Sequence, residues 1–130
     1  MNKRIDLVIG VLEFYDHFVI GHVNPDVNFG QNERLLFLNA CLEHFKEKHF
    51  GYISVWTYSY SINPLIYTEL NKVESLKAFA VVYYSKLGKG NAELEGQFFK
   101  KPFGIFETQS EAMEWMNQQI NPILNKKKGY

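Results

Sequence analysis

Ala78-Phe79-Ala80-Val81-Val82-Tyr83-Tyr84 is apolar or aromatic at every position, β-prone throughout, and far too short to cross a bilayer. A strand with one face in water alternates apolar with polar residues, whereas a strand covered on both faces need not. The stretch therefore reads as the central strand of a sheet with helices on each side, which is the arrangement of an α/β domain.

Working outward, Tyr52 to Tyr58 is a second strand of aromatic and β-branched residues. Between the two, Asn63-Pro64 supplies a cap and a proline at the first helical position, predicting a helix from Pro64 to about Glu74 with Leu65, Ile66, Leu70 and Val73 inward. Upstream, Leu35, Leu38, Leu42 and Phe45 recur at helical spacing, widened by Leu36 and Ala40. Asn28 with Gln31 resembles a capping box for this helix, and Lys48-His49 suits its negative end. Ile5 to Phe14 and Phe18 to Val23 form a hairpin about Tyr15-Asp16-His17, closed off by Asn24-Pro25-Asp26.

Downstream of the central strand, Ser85 to Gly90 reads as a loop, and Asn91 caps a helix through about Lys100 carrying Leu94, Phe98 and Phe99 inward. Pro102 stops it, and Phe103 to Phe106 is a short strand. Thr108 with Glu111 caps a last helix whose face is Ala112, Trp115, Met116, Ile120 and Ile123, with Pro122 placed to kink or end it. The order is β-β-α-β-α-β-α-β-α: a single α/β domain over residues 1–125, built on a mixed sheet of about five strands with right-handed parallel crossovers after the hairpin, then a solvated tail at 126–130.

Composition narrows the function. At 130 residues, 46% hydrophobic, the chain can hold a core without disulfides or metal. Fourteen Lys plus Arg balance fourteen Asp plus Glu, and the lysines are scattered or gathered in the tail, so no basic stripe exists for nucleic acid. No apolar run reaches the ~20 residues of a membrane span, and the start lacks a signal-peptide pattern, so the expectation is a cytoplasmic protein. Cys41, the single cysteine, reads as a small core residue.

The closing segment Pro102-Phe103-Gly104-Ile105-Phe106-Glu107-Thr108-Gln109-Ser110-Glu111-Ala112-Met113-Glu114-Trp115-Met116 resembles the last strand and helix of small bacterial proteins of the STAS fold, the anti-sigma-factor-antagonist-like group. The element order is similar to that fold from end to end. The resemblance implies a non-enzymatic binding or regulatory module. It also implies a phospho-acceptor serine at the start of the helix after the third strand, a place that Ser59 or Ser61 would take here; Thr57 stands where the pattern carries an acid before Ser59.

Independently of family, the carboxyl ends of parallel strands form the usual ligand edge of an open α/β sheet. Here that edge comprises Tyr58, Tyr60 and Asn63 on one loop and Tyr84, Ser85, Lys86 and Lys89 on the next. Hydroxyls and lysines beside helix starts suit an anion, although serine and asparagine there also serve simply as caps. Gly88-Lys89-Gly90 lacks P-loop spacing. His17 and His22, and His44 and His49, are each five apart and form no ligand pair, so no metal or cofactor is expected. The glutamates, Glu95 among them, fall on outward helix faces, and no catalytic residue is assigned. Tyr52, Trp56, Tyr58, Tyr60, Tyr67, Tyr83 and Tyr84 gather around the third strand and its neighbours, as core, as a protein interface or as an apolar groove. Two functions are carried forward: a module binding a protein partner or itself through residues 58–63, and a small-ligand or weakly enzymatic protein using the same edge.

Overall fold

The computed structural model describes residues 2–24, 31–56 and 66–127. Ten elements follow in order: β1 (Lys3–Leu7), β2 (Gly10–Phe14), β3 (Phe18–Val23), α1 (Gln31–Phe45), β4 (Phe50–Trp56), α2 (Ile66–Asn71), β5 (Leu76–Tyr83), α3 (Lys86–Gly96), β6 (Phe103–Phe106) and α4 (Gln109–Lys127). The strands lie in one sheet in sequence order; β1 to β3 are antiparallel and β3 to β6 parallel. The α/β class is as expected, and β5 is central, paired on both sides and buried on both faces.

The first apolar run is not one strand. It folds back at Val8-Ile9, so that Leu7 pairs with Gly10 and the sheet gains a sixth strand. Asn24 makes the fold-back, because its side chain donates to the Val8 carbonyl and its backbone N–H to the Ile9 carbonyl. Gly10 is required as well, since a Cβ there would lie 2.1 Å from the His22 carbonyl oxygen. A residue read as a strand breaker thus clamps a turn fifteen residues upstream of it in the chain. In β1, Lys3, Arg4 and Asp6 are exposed while Ile5 and Leu7 are half-buried.

Three helix readings also change. The Ser85 to Gly90 stretch is the cap and first part of α3, because the Ser85 hydroxyl accepts from the Gly88 N–H at 3.0 Å and caps the helix six residues before Asn91. The earlier start sets the helix phase: Ala92 and Glu95 face the sheet, and Leu94 and Phe98 face outward. In α1 the sheet-facing residues are Phe37, Cys41 and Phe45, four apart, while Leu35 and Leu36 are exposed. α2 ends at Asn71 rather than near Glu74, where Lys101 Nζ donates to the Val73 and Leu76 carbonyls, both at 2.6 Å, and ties the turn down. Thr108 and Glu111 do cap α4, which continues past Pro122 to Lys127. The proposed caps at Asn28 and at Asn63-Pro64 lie outside the described residues.

Strand alternation divides the core into two. On one face α1, α2 and α3 cover Leu12, Phe14, Val19, Phe50, Phe79 and Val81; on the other α4 covers Phe18, Ile20, Ile53, Val55, Ala78, Ala80 and Val82. On the α4 side small residues, Gly51, Ala78, Ala80 and Gly104, let the helix lie close. A Cβ on Gly51 would sit 2.1 Å from the Met116 sulfur, and Met116 is wholly buried. Met116→Ala is expected to cost about 2–5 kcal/mol by cavity formation, and Gly51→Ala about 1–3 kcal/mol by overpacking. The double variant should cost less than the sum, since the truncated side chain vacates the space that the new methyl needs; urea denaturation of the four proteins measures this coupling.

Candidate functional site

The faces differ in how well their helices fill them. Alternate residues of β4, Phe50, Tyr52, Ser54 and Trp56, point to the three-helix side. Above them lie α1 and the six-residue α2, and both border a cavity of about 340 Å³. Leu35 and Leu38 of α1 form one wall, Ile66 and Leu70 of α2 the other, and Phe79 extends the floor on β5. The lining is almost wholly apolar. Tyr52 stacks on Phe79 with ring centroids 5.3 Å apart, which holds the floor flat.

The polar groups in this lining are few and placed by the backbone period. Ser54 is the one aliphatic hydroxyl in the lining among the described residues, and Trp56, two residues on, donates its indole N–H to the Ser54 Oγ at 3.0 Å. That bond fixes the oxygen and leaves the hydroxyl proton directed by whatever acceptor is at hand. Glu69 of α2 and Lys72 just past its end also border the cavity, paired at 3.5 Å, with both side chains mostly in solvent. Tyr67, buried and part of the wall, donates its phenol to Glu95 Oε1 at 3.2 Å. Glu95 is only 3% exposed and so does not lie on an outward face as its sequence position suggested.

The residues expected at the ligand edge fare differently. Tyr58, Ser59, Tyr60, Ser61 and Asn63 lie outside the described residues. Tyr84 is exposed; Ser85 spends its hydroxyl on the α3 cap; Lys86 and Lys89 are exposed on α3, with Lys89 Nζ 6.0 Å above the Tyr83 ring. Tyr83 donates to Glu107 at 3.1 Å, and its pKa is raised by burial together with that bond. Tyr83, Tyr84, Ser85, Lys86 and Lys89 do not line the cavity. Sequence reasoning found Tyr52, Trp56 and Tyr67 as part of an aromatic cluster but not Ser54, Leu35 or Leu38 as partners to them. The available signal was the alternation Tyr52-x-Ser54-x-Trp56, one hydroxyl between two aromatics on a single strand face.

Elsewhere, His22 Nε2 meets Glu13 Oε1 at 2.7 Å across β2 and β3, and His44 stacks on Phe14. Burial, with Lys3 and Lys48 nearby, holds the His44 imidazole below the ordinary histidine range. Among the described residues no cluster of three or more His, Cys, Asp or Glu is arranged to hold a metal, and no helix is long and apolar enough to cross a membrane. No family model, curated protein or solved structure matches the chain.

Cys41 is wholly buried on α1, and burial pushes its thiol up to about 12. A thiol reagent at pH 8 should therefore leave the native protein unlabelled and modify it stoichiometrically in denaturant. Rapid native labelling would show instead that α1 opens readily.

Proposed function

We propose that the chain is a STAS-like α/β module that binds a small, mainly apolar molecule between α1 and α2, with its one acceptor group on Ser54. The observation that supports this reading is the cavity itself, a hollow lined mainly by aliphatic and aromatic side chains with the Ser54 hydroxyl held in place on its floor. Pockets of this kind, apolar walls with few placed polar groups, are the commonest form of a small-molecule site. The volume suits a ligand on the order of 15 non-hydrogen atoms, such as a medium-length acyl chain or a substituted aromatic ring. The ligand acceptor takes the Ser54 proton, and the remaining free energy comes from apolar surface leaving water, ~25 cal/mol per Å².

This reading moves the small-ligand site from the strand ends to the body of β4. It assigns Ser54 to hydrogen bonding, Trp56 to holding Ser54, and Leu35 and Leu38 to the wall.

An environment-sensitive apolar dye, N-phenyl-1-naphthylamine, tests it by fluorescence titration, with medium-chain fatty acids as competitors. Saturable binding near one dye per chain is expected, with a Kd of roughly 1–100 µM. Leu38→Trp, which fills the cavity, should abolish binding while the protein stays folded by circular dichroism. Ser54→Ala should weaken carboxylate competitors about 3–10-fold and leave the dye, which lacks an equivalent acceptor, nearly unaffected. Dye binding undiminished in Leu38→Trp would reject the site.

A further inference from the structure

Apolar surface on this molecule is not scattered evenly. Among the described residues seven large hydrophobic side chains are exposed, and four of them belong to α3 and its two ends: Tyr84 at 56%, Leu87 at 65%, Leu94 at 57% and Phe98 at 44%. At 100° per residue Leu87 and Leu94 fall within one narrow stripe of the helix, turned away from the buried Gly88, Ala92 and Glu95, and Phe98 follows just beyond the C-cap Gln97. An apolar stripe of this extent on a charged helix marks an interaction surface.

The stripe is symmetric about its own middle. Leu87 and Leu94 are equidistant from the point between Gly90 and Asn91, and Tyr84 and Phe98 are almost so. A surface with this property matches itself when turned about a two-fold axis, which is the requirement for an isologous dimer. Gly90 lies at the centre with nothing within 4 Å of where its Cβ would be, so two helices can cross there at close range.

Charge selects the direction. Lys86 and Glu93 are seven residues apart on the same flank of the stripe, both exposed, and among the described residues neither is in an ion pair. In a parallel two-fold pair this flank of each copy lies on the opposite side of the seam and the charges stay apart; in an antiparallel pair the two flanks come together, and Lys86 of each copy lies beside Glu93 of the other. α3 is also charged against its own dipole, with no acid in the first turn and no base in the last, and Lys86 and Lys89 at its positive end. An antiparallel copy brings an acidic half to each basic end and sets the two dipoles head to tail.

We propose that two copies of the chain associate through α3, antiparallel about a two-fold axis between Gly90 and Asn91, with Leu87 against Leu94 and Lys86 within side-chain reach of Glu93 in both directions. One 11-residue helix and its ends bury less than the ~800 Å² per partner of a standard interface. The dimer is therefore weak and exchanges with monomer at roughly 10–100 µM. This association is independent of the cavity, which lies between α1 and α2.

Sedimentation equilibrium of the whole chain from about 5 to 500 µM tests the proposal. The wild type should fit a monomer–dimer equilibrium, and Leu94→Asp should remain monomeric throughout with an unchanged circular dichroism spectrum. Lys86→Glu and Glu93→Lys should each weaken dimerisation about 3–10-fold, since the symmetry counts every pair twice, and the double swap should return to within about twofold of wild type. A wild type that is monomeric at the highest concentration overturns the proposal, including when a different protein is then found on α3. So does a dimer indifferent to Leu94→Asp, or a double swap no tighter than the single variants.

Discussion

A helix that covers four parallel strands by itself must lie close to them, and closeness is decided by the side chains beneath it. Under α4 the sheet presents Gly51, Ala78, Ala80 and Gly104, beside larger residues such as Ile20 on β3 and Ile53 and Val55 on β4. Met116 enters the space left by the missing Cβ of Gly51, and Ala112 and Ile120, one turn away on either side, seal the rest. That packing fixes which side of β5 is small and which is large. Ala78, Ala80 and Val82 look to α4, whereas Leu76, Phe79 and Val81 look the other way.

The opposite face inherits the consequence. Three helices must be raised over bulky strand residues, among them Phe50, Tyr52, Phe79 and Phe103. Rings at this density stack well with one another, as Phe45 with Phe50 and Phe79 with Phe103, but rigid plates leave gaps that flexible aliphatic chains would fill. The hollow beside Ser54 lies over β4, bordered by α1 and by α2, the shortest helix. One close-packed face and one open face are thus two results of a single distribution of residue sizes along β4 and β5.

Much of this is legible in the chain because strand period and capping are local. The doubly apolar run at Ala78 to Val82 marks the central strand, Thr108 and Glu111 the last helix, and Phe103 to Phe106 the last strand. What escaped reading depends on partners distant in sequence. Asn24 acts on Val8 and Ile9, and Lys101 on Val73 and Leu76; neither contact leaves a trace in the residues around it. Ser85 and Asn91 are both competent caps, and the choice between them rotates α3, which takes Glu95 inward and Leu94 outward. The cavity was hidden for a related reason: an unfilled volume is a property of two helices and a sheet together, whereas a sequence reports one side chain at a time.

The extra strand made at Val8-Ile9 also governs how the sheet meets its surroundings. Without it β2, with its buried Leu12 and Phe14, would be the outermost strand, and its free backbone groups would offer a template for another chain. With β1 in place the outermost residues on one side are Lys3, Arg4 and Asp6, all in solvent, and Arg4 and Asp6 pair at 3.1 Å. A strand added beyond them would have to dehydrate three charges. The fold-back held by Asn24 thereby ends the sheet at a solvated border and protects the most apolar strands from aggregation by strand addition.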